Sequence, residues 1–184
     1  MKNTLFEIPF YSISISDWKK KKSQLKEVLK NFPVSKFPDQ DFLTNRKPSQ
    51  SSLIHRHSAL IPQFLDIFKD SFEEFLKEVQ GSMKIKDMWS VIYNKNDNQI
   101  VHNHGSTGYS GLLYVEFNSK FHLPTTYVQP WNHIDLDVSV FNRVQVKEGT
   151  MIIVPSFINH FVPANTSNTP REIIAFDMRR QEEA

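Results

Sequence analysis

The stretch Ser110–Phe117 reads Ser-Gly-Leu-Leu-Tyr-Val-Glu-Phe and is one of eight short apolar runs that follow Gly81. Turn-forming residues separate the runs, and none of them shows the three- and four-residue spacing of a helix. In chain order the runs are Ile85–Tyr93, Ile100–His104, Ser110–Phe117, Tyr127–Gln129, Arg143–Val146, Met151–Val154, His160–Pro163 and Arg171–Met178. Short strands at this density predict a mainly β fold, either a barrel or a double-sheet jelly roll.

The residues before these runs predict elements that support the β core. Residues 5–15 alternate loosely between apolar and polar side chains, which indicates a strand. A helix is expected to follow as far as about residue 31, and residues 61–80 repeat apolar side chains at helical spacing. Between the two helices, residues 33–58 are rich in Pro and Ser, which predicts a long irregular connection.

The chain length predicts one domain with a single sizeable core. We assign residues 1–184 to this domain. Within it, residues 1–82 are predicted to supply the N-terminal strand and the supporting helices, and residues 83–180 are predicted to form the β core.

Composition excludes several classes of function. The chain has no Cys, which rules out a disulfide scaffold, a thiolate zinc site, an iron–sulfur cluster and a cysteine nucleophile. A formal net charge of +2 does not indicate a nucleic-acid partner, and the apolar runs are too short to span a membrane. Glu7 and Pro9 interrupt what would be the apolar core of a signal peptide. We therefore expect a cytoplasmic protein with no membrane partner.

One group of histidines in the strand-rich half suggests chemistry. His102 and His104 lie at the end of a predicted strand, where alternate residues share a face. His160 lies on another predicted strand, and strands distant in sequence face each other across a jelly roll. Three imidazoles on one face would form an open site for a first-row divalent metal.

Arg171 opens the last predicted strand. A guanidinium that points into the same cavity can bind a small carboxylate through two parallel hydrogen bonds. Taken singly, these residues also have a structural interpretation, with the histidines as polar groups at a strand end and Arg171 paired with Glu148 or Glu172.

Four motifs in order carry a resemblance to a known family. His102–His104, Ser110–Val115, Pro155–His160 and Arg171, with Met88-Trp89 upstream, resemble the Fe(II)/2-oxoglutarate-dependent oxygenase superfamily, and more narrowly its bacterial and phage members with a His-x-His…His…Arg pattern. The resemblance implies a double-stranded β-helix that binds Fe(II) and 2-oxoglutarate. It also implies a dioxygenase that uses dioxygen to hydroxylate a small-molecule or peptidyl substrate, releasing succinate and CO2, in the host cytoplasm if the gene is a phage's.

The resemblance also implies roles for single residues. His102 and His160 take the positions of the two histidine ligands of the metal, and Arg171 takes that of the anchor for the distal carboxylate of 2-oxoglutarate. Tyr93 matches a position that often hydrogen-bonds the cosubstrate, and Tyr114 is a second candidate of this kind.

His104 departs from the wider superfamily, because the commonest motif has Asp or Glu at this position. An imidazole brings no negative charge to the metal, so it favours metals that prefer nitrogen donors, such as Zn, Ni or Cu. We expect either a site in which His102, His104 and His160 all bind the metal and form the catalytic centre, or one in which His104 is turned away. Ile173 is a second departure, since many relatives carry Ser there.

Three residues are candidates for substrate binding. Trp89 and Trp131 could form an aromatic wall, and His133 lies in a segment expected to cover the barrel mouth. His122, at the other end of that segment, is expected at the surface.

Two alternative functions stay open at this point. One is a cupin-type dioxygenase that uses a three-histidine metal without a cosubstrate. The other is a jelly-roll module without catalytic activity that binds a sugar or a peptide at the barrel mouth.

Overall fold

The computed structural model describes residues 7–30, 35–36, 53–56, 58–132 and 139–181. Within them the chain forms strands and a few helices. The strands are β1 Tyr11–Ser14, β2 Ser35–Lys36, β3 Leu53–Arg56, β4 Met83–Tyr93, β5 Gln99–His102, β6 Tyr109–Glu116, β7 Thr126–Asn132, β8 Ser139–Arg143, β9 Thr150–Pro155, β10 His160–Val162 and β11 Arg171–Arg180. The helices are α1 Trp18–Lys30, α2 Ile61–Ile67 and α3 Lys69–Val79, with a 3₁₀ turn at Ser58–Leu60. None of these described helices is long and apolar enough to cross a bilayer.

The strands assemble into two antiparallel sheets. The larger sheet has the order β1-β9-β6-β11-β4-β3-β2, and the smaller has the order β5-β10-β7-β8. Strands adjacent in a sheet come from distant parts of the sequence, as when β11 pairs with both β4 and β6. This arrangement confirms the predicted mainly β, double-sheet jelly roll.

Each face of the larger sheet covers its own hydrophobic cluster. On β6, Leu113 and Val115 pack with the helices, whereas Leu112 and Tyr114 belong to a second cluster with residues of the smaller sheet. This alternation follows from the two-residue period of a strand. The helices therefore cover the outer face of the larger sheet, and its inner face is directed toward the smaller sheet.

A glycine allows the outer cluster to close over β6. Gly111 pairs with Phe176 of β11, and a Cβ on Gly111 would lie 2.2 Å from the ring of Phe176. The ring of Phe176 in turn packs on Phe64 and Phe72 of the helices, with centroids 5.8 and 5.5 Å apart. The absence of a side chain at Gly111 thus makes room for the contact between sheet and helices.

Lysines of α1 link this helix to the ends of the sheet strands. Lys22 Nζ lies 2.9 Å from Glu116 and 2.8 Å from Glu148, and Lys26 Nζ lies 2.5 Å from Glu116 and 3.4 Å from Glu172. Both lysines are partly buried and flank Leu25, the buried residue of α1. The ion pairs orient α1 along the larger sheet.

The predicted helix over residues 61–80 is two helices in the structure, separated at Phe68. This residue has φ −110° and ψ 22°, so it ends α2 and begins α3. Its side chain is fully buried, and its ring packs 4.9 Å from that of Phe64. The apolar repeat continues through the break because both helices turn the same face to the sheet.

Other predicted boundaries also differ from the structure. Among the described residues the N-terminal strand covers Tyr11–Ser14, and residues 33–58, predicted as irregular, contain the two short strands β2 and β3. The strand predicted at Arg143–Val146 lies earlier, at Ser139–Arg143. Val144 and Val146 are apolar because they pack against the cluster between the sheets from a loop.

Candidate metal centre

Two paired strands and one loop bring three histidines together. His102 ends β5 and lies directly opposite His160 of β10 in the strand register. His104 lies two residues beyond the end of β5, where its backbone N–H donates to Ser156 O over 2.9 Å. One potential ligand atom from each of the three histidines lies within 4.8 Å of the others. The three residues predicted from sequence are therefore neighbours, as a shared metal requires.

Each imidazole is held through its Nδ1. His102 Nδ1 donates to Ile100 O over 2.8 Å, and His160 Nδ1 donates to Ile158 O over 3.0 Å. These protons are fixed on Nδ1 because a carbonyl oxygen can only accept. His104 Nδ1 lies 2.9 Å from Asp177 Oδ1. Nε2 is therefore the acceptor nitrogen of each ring, and that of His102 accepts from Gln99 Nε2 over 3.1 Å. Contact of Nδ1 with a carbonyl or carboxylate oxygen is the usual arrangement of histidines that bind a metal.

His160 is the most buried of the three histidines. Burial, reinforced by the nearby rings of His102 and His104, lowers the pKa of His160 to about 3. Its imidazole is therefore neutral at physiological pH, which is the form that can bind a metal.

The cavity at the histidines is narrow and lined by both sheets. Trp89 stacks on His104, with ring centroids 5.6 Å apart and planes 18° apart. Tyr127, Ile173 and Ala175 complete part of the wall. The Ser hydroxyl that many relatives carry is replaced here by the apolar side chain of Ile173, which is buried in this wall.

Arg171 lies at the start of β11 and is 2% exposed. Its guanidinium lies over the ring of Tyr93, 4.6 Å from the centroid, and its Nη1 donates to Leu123 O. Its Nε and Nη2 are buried and have no hydrogen-bond partner among the described residues. Leaving two donors of a buried cation unpaired is costly, so this arrangement fits a carboxylate supplied by a ligand.

The alternative in which Arg171 forms an ion pair with Glu148 or Glu172 is wrong. Glu148 pairs with Lys22, and Glu172 pairs with Lys26 on the helix side of the sheet. Burial lowers the pKa of Arg171. The guanidinium still remains charged, because its unperturbed pKa is far above neutrality.

Tyr93 and Tyr114 lie near Arg171, Tyr127 lies near Tyr114, and the three hydroxyls differ in their hydrogen-bond partners. Tyr93 donates to Gln99 Oε1 over 2.8 Å, and Tyr114 accepts the Thr125 backbone N–H over 3.1 Å. Tyr127 Oη is buried and has no partner among the described residues. Burial raises the pKa of Tyr114 and Tyr127, so both are neutral hydroxyls. The free hydroxyl of Tyr127 is thus a second group that could bind a ligand.

The other predicted substrate residues lie elsewhere. Trp131 is 52% exposed and lines a separate groove with Phe10 and Pro130, outside the histidine cavity. His133 lies outside the described residues. His122 was expected at the surface but is buried. Both of its ring nitrogens have partners there, since Nδ1 accepts the Asn118 N–H over 3.1 Å and Nε2 donates to Thr169 O over 3.0 Å.

Sequence reasoning missed three residues of this region. Tyr127 lies opposite His160 in the register of β7 and β10. Gln99 contacts His102 Nε2 at 3.1 Å and also accepts from Tyr93. Asp177 lies six residues after Arg171 on the same strand, so the alternation of β11 could have placed it on the same face.

Comparisons with known proteins agree with this geometry. Residues 87–177 match the model of a family described as "Putative 2OG-Fe(II) oxygenase". An oxidoreductase of the 2OG-Fe(II) oxygenase family from Burkholderia pseudomallei is 13% identical and superposes with a TM-score of 0.67, covering 94% of this chain and 87% of the other. A prolyl-4-hydroxylase from Pseudomonas putida is 11% identical, with a TM-score of 0.62 and coverage of 95% and 94%.

HygX from Streptomyces hygroscopicus, with nickel and 2-oxoglutarate bound, is 12% identical, with a TM-score of 0.65 and coverage of 95% and 84%. No curated protein sequence gives a significant match. The likeness to solved structures confirms the double-stranded β-helix fold, and the family match confirms the resemblance seen in the motifs.

Proposed function

Because residues 87–177 match the 2OG-Fe(II) oxygenase family, we propose that the chain is an Fe(II)- and 2-oxoglutarate-dependent dioxygenase that hydroxylates a small-molecule or peptidyl substrate. The observation that carries the proposal is the cluster of His102, His104 and His160. One potential ligand atom from each histidine lies within 4.8 Å of the others, and each ring is held at Nδ1, so Nε2 is the nitrogen that would bind a metal.

We assign the metal to these three histidines. The two peptide carbonyls and the carboxylate behind the rings fix their orientation before a metal binds, which lowers the cost of forming the site. Trp89, stacked on His104, restricts the movement of that ring. These contacts favour the three-histidine arrangement over one in which His104 is turned away.

We assign the distal carboxylate of 2-oxoglutarate to Arg171. Two of its buried donors, and the buried hydroxyl of Tyr127, have no partner within the part of the chain that the structure describes. Tyr114 interacts electrostatically with both Arg171 and Tyr127, which places the three groups in one neighbourhood. An anchor of this kind supports the cosubstrate-dependent oxygenase over a cupin-type enzyme without a cosubstrate.

The remaining side chains would orient the substrate and exclude water. When bound, Fe(II) and 2-oxoglutarate would supply the oxidising chemistry, in which dioxygen is consumed, 2-oxoglutarate becomes succinate and CO2, and a substrate C–H bond becomes C–OH. Trp89 and Ile173 form an apolar part of the cavity wall that keeps this chemistry dry. Trp131 could extend substrate contacts into the neighbouring groove, which shares Tyr127 and Val154 with the cavity.

An anaerobic titration tests the proposal. Addition of 2-oxoglutarate to the Fe(II)-loaded protein is expected to produce a visible charge-transfer band, and admission of air is expected to yield succinate even without substrate. Arg171→Ala should raise the 2-oxoglutarate concentration needed for the band while leaving metal affinity nearly unchanged. Arg180→Ala, at an exposed position of the same strand, is the matched control and should behave as wild type. Absence of both the band and succinate from the wild type would overturn the proposal.

A further inference from the structure

Asp177 is a carboxylate placed directly behind one of the candidate metal ligands. Its Oδ1 lies 2.9 Å from His104 Nδ1, and the two side chains are only 14% and 19% exposed. Asp177 is on β11, whereas His104 is on the loop after β5, so the contact joins the larger sheet to the end of the smaller one.

Two serines extend this contact into a chain of hydrogen bonds. Ser110 Oγ donates to Asp177 Oδ1 over 2.9 Å and lies 3.1 Å from Ser156 Oγ. Because the Ser110 proton is used on Asp177, Ser110 must accept from Ser156. Arg179 Nη1 donates to Ser156 Oγ over 3.2 Å, so every donor in the chain points toward the Asp177 carboxylate.

Arg179 also fixes the other end of the pair. Its Nη2 donates to the backbone O of His104 over 3.0 Å. His104 is therefore held by Arg179 through its carbonyl, by Ser156 O through its amide and by Asp177 through its ring. The two serine-containing motifs that stood out in the sequence, at Ser110 and Ser156, thus converge on His104 rather than on Arg171.

We propose that Asp177 is a positioning residue for the metal, acting through His104 to supply the negative charge that a carboxylate ligand at position 104 would bring. This inference rests on the proposed function, since it assigns a role toward the metal of that site. A carboxylate hydrogen-bonded to a coordinated imidazole makes the free ring nitrogen a stronger donor and fixes its direction. The three neutral imidazoles, which alone would leave the full charge of a divalent ion, then share one compensating charge.

The test is metal binding by two variants of Asp177. Asp177→Asn keeps the shape and can still accept from His104 but removes the charge, whereas Asp177→Ala removes both. We expect Asp177→Asn to weaken Co(II) affinity by about 10- to 100-fold in calorimetric titration and Asp177→Ala to weaken it at least as much. The visible ligand-field bands of the Co(II) protein should shift in both variants, and the Fe(III)/Fe(II) midpoint potential should rise in Asp177→Asn because the oxidised ion loses more stabilisation.

Glu172→Gln is the matched control. It removes the same charge from the same strand, but Glu172 pairs with Lys26 on the helix side, so Co(II) affinity and spectrum should not change. The unfolding temperature of the metal-free Asp177→Asn protein is measured alongside, and a value equal to wild type shows that the loss of affinity is local.

The outcomes separate this inference from the proposed function. If the wild type binds no divalent metal, both are overturned. If the wild type binds metal and Asp177→Asn has the same affinity, spectrum and potential, only the role of Asp177 is overturned. Weakened binding with shifted spectra in the Asp177 variants, and not in Glu172→Gln, supports it.

Discussion

Arg171 carries a buried charge that the fold satisfies only in part. Its Nη1 donates to Leu123 O and its guanidinium lies over the ring of Tyr93, but Nε and Nη2 have no partner among the described residues. Replacing a buried charged group by an apolar one of similar volume is often neutral or stabilising. We therefore expect Arg171→Met to keep or raise the free energy of unfolding of the ligand-free protein, by up to about 3 kcal/mol.

The same variant should lose its response to cosubstrate. With metal present, 2-oxoglutarate at 100 times its Kd should stabilise the wild type by about 2.7 kcal/mol, whereas Arg171→Met should gain almost nothing at that concentration. Chemical denaturation with and without 2-oxoglutarate measures both effects. A ligand-free Arg171→Met protein clearly less stable than wild type would mean that Arg171 is a structural residue.

The buried imidazole of His122 should make the free energy of unfolding depend on pH. Its burial, followed by the charge of Arg171, lowers the pKa of this imidazole, and its Nδ1 must stay unprotonated to accept from Asn118. Below about pH 6.5 the unfolded chain takes up a proton at this histidine while the folded chain does not, so stability falls as pH decreases toward the folded pKa.

His122→Gln removes this titration and should flatten the decline. The slope that one histidine contributes is at most about 1.4 kcal/mol per pH unit, and the difference between the two proteins should be confined to the region below about pH 6.5. Urea denaturation at a series of pH values gives both curves. Parallel curves for wild type and His122→Gln would show that His122 does not contribute.

At the residue scale, sequence alone identified the groups with distinctive chemistry but not their partners. His102, His104, His160 and Arg171 stood out because three histidines and an arginine occurred in order on predicted strands. Asp177 did not, because a carboxylate near a strand end is common and only the pairing of β11 with β6 shows that it faces Ser110. Strand register is a long-range property that local spacing does not encode.

At the scale of elements, the contact between β6 and the helices depends on Gly111. A methyl group there would lie 2.2 Å from the ring of Phe176, which also packs on the rings of Phe64 and Phe72. We expect Gly111→Ala to lower the free energy of unfolding by about 1–3 kcal/mol, as overpacking of a closed core does.

A second substitution makes this prediction specific. In Gly111→Ala/Phe176→Leu the smaller side chain at 176 leaves room for the methyl group. The loss of unfolding free energy in the double variant should therefore be smaller than the sum of the losses in the two single variants. Gly81→Ala is the control, since its new methyl group would meet only the end of the Arg180 side chain, which can move away. If the losses of unfolding free energy in the two single variants simply add up in the double variant, the proposed clash between the methyl group at position 111 and the ring of Phe176 is contradicted.

Element boundaries were the part of the fold that the sequence predicted least well. The apolar repeat of residues 61–80 predicted the buried face of this segment correctly but did not predict the break at Phe68. The break leaves the same side chains buried, so the repeat does not reveal it. Val144 and Val146 were apolar for burial under a loop and not for strand formation. Hydrophobic pattern reports which side chains are buried, and backbone conformation follows from it only when neighbouring elements allow one choice.

At the scale of the whole molecule, the double-sheet architecture does not depend on the metal centre. Two hydrophobic clusters hold the helices to the larger sheet and the two sheets to each other, and the three histidines belong to neither. The division into supporting residues 1–82 and a β core in residues 83–180 stays a prediction. Whether or not this division is correct, the candidate metal site lies on a core that the two hydrophobic clusters form without a metal.

Removal of metal should therefore leave the fold intact. We expect chelation to leave the far-ultraviolet circular dichroism spectrum unchanged and to lower the unfolding temperature only by the amount that bound metal had added. At a free metal concentration 100 times the Kd, that contribution is about 2.7 kcal/mol. A protein lacking all three imidazoles, His102→Ala/His104→Ala/His160→Ala, should fold and show no response to metal. Loss of secondary structure on chelation would instead mean that the metal holds the two sheets together, because the hydrophobic clusters alone would then be too weak to do so.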